Sequence, residues 1–425
     1  MIDMKKSNIE DFLVNYKYGI IKDMIEVESI EGFPKVYRIK AHKQNIKNII
    51  NFQENDNDGY GYSFCHNKAI QSALGEAVER YCSSYIPKKL LIEKYNKLKK
   101  DNINVINPNM FIHKFKKYKK INLNTKIGWK KAYNVFNNKE VYVPASIIYL
   151  PIPRNNGVFP QLRDQNSTGL ATGVNIEHAI MNGIYECIER DSFAIMWYNK
   201  LNGDYIAIEE LDKKNQDIIK KFNDLGLEII LKQINYKTII PVYLAIMLNK
   251  KYKKLPKIYI CTKSGSGFNK TIYDLLGELI GGYYSLIELK YIYNLKIHKE
   301  LKNVRSLEEN ALTYGFGNID LNQLEFLLRK SADNQIERKR RLNDKENTLE
   351  EILCEIKNMN INMYFSEITT PDISSIGLKV VRVFSPELCF LESNYKDYNN
   401  KRININNVKN ETEHPFSWWR LNKNM

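Results

Sequence analysis

The chain contains no run of eighteen apolar residues, and its start sets acidic side chains among the lysines where a signal peptide would carry an apolar stretch. A membrane span and a secretory signal are therefore excluded, and a cytoplasmic protein is expected. Six cysteines (Cys65, Cys82, Cys187, Cys261, Cys354 and Cys389) are dispersed, with no C-x-x-C pair and no histidine at finger spacing. Neither a disulfide framework nor a structural zinc fits that pattern. The turn Ser264-Gly265-Ser266-Gly267 lacks the Lys-Ser or Lys-Thr that follows the glycines of a P-loop. No Cys-His or Ser-His arrangement offers a nucleophile with its base.

What is present is a chain of 425 residues with 43% apolar content, enough for two to three subdomains sharing one core. Its formal charge of +15 comes mostly from lysine and favours an anionic partner without choosing one. The basic run Glu337-Arg338-Lys339-Arg340-Arg341 has acids nearby and no interleaved aromatics, so it reads as a solvated helix face, and no nucleic acid is expected.

The stretch from Asn166 to Asn199 organises the rest. Ser, Thr and Gly crowd its approach, Asn175 is placed to cap a helix, and Glu177 favours the positive end of the helix dipole. At helical spacing, Asn182, Glu186, Glu189, Arg190 and Phe193 share one face of a helix that is otherwise apolar. Upstream, Lys68 to Tyr85 repeats the device, with Ser72, Glu76, Glu79 and Arg80 on one face. Carboxylates three residues apart repel unless a cation lies between them. Two such pairs facing each other would hold a divalent metal through hard oxygen ligands, with magnesium the natural candidate. For the two arginines, structural ion pairs are an equal alternative to ligand contacts.

Ser72-x-x-x-Glu76-x-x-Glu79-Arg80, then Asn166-Ser167-x-Gly169-x-Ala171-x-Gly173 leading into Glu186-x-x-Glu189-Arg190-Asp191, resembles the YcaO family of ATP-dependent peptide-backbone-modifying enzymes. The likeness extends to Thr370-Pro371-Asp372, Val380-Val381-Arg382-Val383 and His414-Pro415-Phe416. It implies a mixed α/β (α+β) fold with several sheets and helices packed around a central ATP and Mg2+ site. It also implies one catalytic unit over 1–425, comprising a hairpin region 1–65, a core 66–393 and a tail 394–425. Under the resemblance, Glu76, Glu79, Glu186 and Glu189 are metal ligands, and Ser72, Arg80, Asn182, Arg190 and Glu288 serve the nucleotide.

Two departures from the family pattern accompany this reading. Where relatives carry Gly-Lys-Gly this chain has Gly61-Tyr62-Ser63, and a family Glu-x-x-Gln-x-Arg set on Glu288 finds Tyr291 and Tyr293 at its last two places. The implied reaction is attack by a peptide Cys, Ser or Thr on the preceding backbone amide, with ATP activating the amide oxygen, to give an azoline. Thioamide formation and a degenerate docking scaffold remain open alternatives. His414, Pro415 and Phe416 resemble the proline-rich tail that orders the site in cyclodehydratases. The implied partners are a precursor peptide and a separate leader-binding protein of the E1-like (ocin-ThiF-like) type, with a dehydrogenase or a homodimer also allowed.

Along the chain, Tyr18 to Ser29 and Lys35 to Ala41 read as a hairpin, and Asn51 to Gly61 as a loop delivering the first Glu-rich helix. Lys88 to Lys120 reads as a solvated helix with a connector. Leu227 to Gln233, Thr238 to Leu248, Lys257 to Thr262 and Gly377 to Ser385 read as strands, and Tyr273 to Tyr293 as a helix.

Overall fold

The structure is a computed structural model that describes residues 7–45, 58–113, 117–153, 157–293, 295–304, 306–333, 336, 346–390 and 400–403. Three sheets organise them. The first is an antiparallel meander of β1 (Ile21–Val27), β2 (Tyr37–Lys43) and β3 (Gly59–Ser63). The second runs in the order β4 (Leu91–Lys94), β5 (Lys126–Asn134), β12 (Tyr364–Glu367), β13 (Lys379–Phe384), β7 (Leu170–Gly173), with β6 (Glu140–Pro144) paired to β5. The third is β11 (Ile258–Ser264), β10 (Val242–Asn249), β9 (Leu227–Gln233) and β8 (Asp204–Ile206), antiparallel throughout. Strands β9 to β11 are buried along nearly their whole length, which explains their continuous rather than alternating apolar sequence.

Three long helices tie the sheets together. His66–Ser84 packs on β2, β3 and β7; Ile176–Asn199 on β7, β13 and β11; Phe268–Tyr293 on β10, β11 and β3. Each helix thus touches two sheets, so their polar faces meet where the sheets converge. The middle helix is buried on almost every side, and its apolar residues join the main core around Ile184, Ile188, Trp197 and Leu244. Asn175 caps it by accepting a hydrogen bond from His178 N at 2.8 Å. A second core, including Ala73, Val78, Val143 and Phe384, lies between the first helix and the second sheet.

Three segments depart from the sequence expectation. Gly59 to Gly61, the end of the expected loop Asn51 to Gly61, belongs to the strand Gly59–Ser63, and Leu170 to Gly173, in the Ser-, Thr- and Gly-rich approach to the second helix, is also a strand. Tertiary packing decides both: a Cβ on Gly61 would come within 1.8 Å of Ala69 O, so glycine here lets the strand lie directly on the first helix. Gly61→Ala should cost roughly 2–3 kcal/mol through forced separation of strand and helix. Chemical denaturation measures this, and an unchanged midpoint would show that the contact is slack. The stretch Lys88 to Lys120, expected as a solvated helix, instead gives edge strand β4, the short helix Tyr95–Lys100 and a 3-10 turn.

Candidate functional site

A cavity of ≈ 520 Å³ opens between the three long helices, β7 and β11. Glu76, Glu79 and Arg80 come to its wall from the first helix, and Asn182, Glu186, Glu189 and Arg190 from the second. Strand β11 adds Cys261, Thr262, Lys263 and Ser264, and the third helix adds Glu278.

Each glutamate is held by a main-chain N–H as well as by its neighbours. Glu76, buried, accepts from Tyr60 N at 3.0 Å and from Arg80 Nη2 at 2.8 Å, so it locks the first helix to β3. Glu79 accepts from Thr172 N of β7 at 2.8 Å. Glu186 accepts from Gly169 N at 2.9 Å and pairs with Arg190 Nη2 at 3.3 Å. Glu189 accepts from Thr262 Oγ1 at 2.7 Å and Ser264 N at 3.3 Å, and also pairs with Arg190. Asn182 Nδ2 donates to Thr172 O at 3.3 Å. The two arginines therefore fill the ion-pair role in this arrangement.

The carboxylates are crowded. Burial, with the neighbouring charges of Glu76 and Glu186, raises Glu79 to about 8 against the opposing pull of Arg80. Burial also raises Glu189, with Arg190, Lys263 and Thr262 acting in the opposite sense. Between pH 4.5 and about 8 the folded chain holds a proton on Glu79 that the unfolded chain has released, so this group's contribution to stability falls as pH rises through that window. Glu79→Gln should remove that fall. Thermal denaturation of both proteins from pH 5 to 8 measures it, and parallel curves would show that Glu79 keeps an ordinary carboxyl.

Two of the expected nucleotide residues lie elsewhere. Ser72, a turn before Glu76, is not among the residues lining the cavity. Glu288 forms an ion pair with Arg38 Nη2 at 2.6 Å, also away from the cavity. Tyr291 is exposed, its hydroxyl donating to Lys254 O at 2.9 Å. The third helix brings Glu278 to the wall instead, with Gly281 and Tyr283 three and five residues on. Neither of those supplies charge: Gly281 lies against the Tyr62 ring and Tyr283 donates to Pro256 O. The cation beside Glu278 is Lys263, Nζ to Oε1 at 2.6 Å. Sequence reasoning passed over Lys263, although a lysine among the apolar residues of a buried strand was a usable signal. His414, Pro415 and Phe416 lie outside the described residues.

The match that decides the family is to the model described as YcaO cyclodehydratase, ATP- and Mg2+-binding, over residues 60–389. The chain belongs to the YcaO family. Its fold is likewise similar to solved structures. A heterocyclase in complex with substrate and cofactor superimposes with TM-score 0.72 at 14% identity, covering 99% of this chain and 57% of that one. The YcaO of Methanopyrus kandleri bound with AMPPCP and Mg2+ gives 0.61 at 13% identity, over 87% and 86%. The E. coli microcin synthetase McbBCD complex with pro-MccB17 bound gives 0.65 at 14% identity, over 95% and 99%. An uncharacterized protein of Methanothermobacter thermautotrophicus is 28% identical over 174 residues, 40% of this chain and 43% of that protein. This YcaO chain thus spans little more than half of the first heterocyclase and less than half of the curated relative. No described helix is long and apolar enough to cross a membrane.

The donor set fits the nucleotide and metal of the YcaO description. Carboxylate oxygens are the hard ligands that Mg2+ prefers, and the raised Glu79 marks a cluster in which added positive charge is stabilising. Among the described residues no three His, Cys, Asp or Glu side chains form a metal-holding group by themselves. Phosphate oxygens would have to complete the ligand shell, as is usual for Mg2+ at nucleotide sites.

Proposed function

We propose that this chain activates backbone amides of a ribosomally made precursor peptide at the expense of ATP, forming thiazoline or oxazoline rings from Cys, Ser or Thr. The observation that carries the reading is the meeting of both Glu-x-x-Glu-Arg motifs on one cavity, far apart in sequence as they are. Bound ATP supplies the phosphoryl group that turns the amide oxygen into a leaving group. The chain's own residues bind and orient. Glu76, Glu79, Glu186 and Glu189 would hold Mg2+ directly or through water, and Glu278 joins them as the third helix's carboxylate. Arg80, Arg190 and Lys263 hold these carboxylates apart and in register, and offset phosphate charge. Asn182 orients the nucleotide, while Ser72 and Glu288 act only through the helices that carry them.

The sequence offers no Cys-His or Ser-His arrangement, which suits a reaction in which the substrate side chain attacks. Remote binding of the leader then positions the amide, which assigns delivery to a separate leader-binding partner. ATP consumption places the reaction in the cytoplasm. The test combines this chain, ATP, Mg2+, a candidate precursor peptide and the neighbouring gene products, read by mass spectrometry and phosphate release. Loss of one water per modified residue supports the proposal. A sulfide-dependent exchange of oxygen for sulfur would replace azoline formation with thioamide formation, and no peptide-dependent ATP turnover would leave a docking scaffold. Deleting Glu413 to Met425 should cut modification at least about tenfold with little change in melting temperature, if the tail orders the site; unchanged modification would rule out that role.

A further inference from the structure

The three long helices share a spacing that their glutamates alone do not show. Lys68, His178 and Lys270 are each the third residue of their helix, and Glu76, Glu186 and Glu278 each follow eight residues later. All six line the cavity. Eight residues rise about 12 Å along a helix, so each helix runs along the cavity wall from a basic side chain at the rim to a carboxylate at the floor.

Two further carboxylates gather the rim. Lys68 Nζ reaches from the first helix to Asp274 Oδ1 of the third at 2.5 Å. Lys270 pairs with Glu346, and His178 lies near enough to act on the same carboxylate. Lys270 and Glu346 also lie near the Tyr185 hydroxyl, which bonds Ser266 Oγ at 2.6 Å. Both lysines are loosely held: the Lys68 side chain is 45% exposed, and those of Lys270 and Glu346 are 58% and 69% exposed. Exposed pairs of this kind stabilise a fold little. The floor cations differ, because Arg80 and Arg190 are mostly buried and taken up by the glutamates. Tyr62, also on the wall, brings a neutral hydroxyl that bonds Ser285 Oγ at 3.1 Å.

The rim lysines are therefore the cations best placed to change partner. A phosphate chain offers an ammonium more charge and more acceptor oxygens than a single carboxylate does. Mg2+ held by the floor glutamates would bring such a chain into the cavity, and a lysine's flexible four-carbon stem can follow it. We propose that Lys68 and Lys270 bind the phosphate chain of the nucleotide, each exchanging the carboxylate that holds it beforehand, Asp274 or Glu346. This rests on the reading that the cavity takes Mg2+ and ATP, and not on the azoline chemistry.

The test is calorimetric titration of the full chain, without peptide, with AMPPCP at saturating Mg2+. Lys68→Gln and Lys270→Gln should each weaken binding at least about fivefold, and Lys68→Arg, which keeps the charge, should stay within about threefold of wild type. Asp274→Asn and Glu346→Gln should instead bind at least about twofold tighter, because the competing carboxylate is gone. The opposite signs are decisive, since a purely structural ion pair would weaken binding whichever partner is lost. If a variant of one pair does not fold, the other pair carries the same comparison. Unchanged AMPPCP affinity in both lysine variants, or weaker binding in the carboxylate variants, would overturn the proposal while leaving nucleotide in the cavity. Impaired peptide use at unchanged AMPPCP affinity would also overturn it, by assigning the rim to the peptide. A wild type that binds no AMPPCP would overturn it together with the nucleotide reading, so the two failures are distinguishable.

Discussion

Replacing Glu189 with Gln is expected to abolish peptide-dependent ATP turnover, with a loss of roughly 10²–10³-fold or more, in a protein that still folds. Glu189 accepts Thr262 Oγ1 and Ser264 N on separate oxygens and pairs with Arg190 as well. Glutamine keeps the shape and one acceptor, but its amide N–H₂ must face groups that are themselves donors. The lost charge also leaves Arg190 and Lys263 in excess where Mg2+ and phosphate have to be balanced. The fold should tolerate the change, because burial already disfavours the charged form and a neutral side chain avoids that cost. Phosphate release with peptide present, beside a thermal melt, measures both halves. Turnover within tenfold of wild type in a folded variant would remove Glu189 from the metal and nucleotide site.

Much of this site was readable from helical period alone. Glu76, Glu79 and Arg80, and Asn182, Glu186, Glu189 and Arg190, stand on polar stripes of otherwise apolar helices, and the structure puts those stripes on one cavity. Which sheet each helix packs on was not readable, because that depends on pairing between distant segments. The β7 strand owes its existence to pairing with β13, where Lys379 to Arg382 lie opposite Gly173 to Leu170, and no local propensity of Leu-Ala-Thr-Gly specifies that. Lys263 was missed for a related reason: a strand's alternation assigns faces, but only the neighbouring helices show which face meets a cavity. Asp191, next to Arg190 in the motif, turns out to be an anchor, fully buried and paired with Arg402 Nη2 at 2.7 Å.

The third helix shows the limit most sharply. Periodicity fixes the azimuth of a side chain around a helix but says nothing of its position along the axis. Glu278 and Glu288 stand on roughly one side, yet ten residues place them about 15 Å apart along the helix. Only one can reach a cavity that meets this helix along its N-terminal half, from Lys270 to Glu278.

Glu278→Gln should therefore cut peptide-dependent turnover roughly 10²-fold or more, whereas Glu288→Gln should leave it within about twofold of wild type and cost stability instead. Glu278 is mostly buried, at 17% side-chain exposure, and bound to Lys263 Nζ, so the amide variant releases a lysine charge into the cavity and removes a carboxylate from it. Glu288 is 34% exposed and neutralises Arg38, which is 2% exposed, so its loss strands a buried guanidinium in the first sheet. The cost there should be about 1–3 kcal/mol, discounted for the solvent that reaches Glu288. Phosphate release and denaturant melts on the two variants separate these effects. The opposite pattern, an inactive Glu288→Gln of native stability beside an active Glu278→Gln, would return the nucleotide role to Glu288 and require the third helix to slide along its axis when ligand binds.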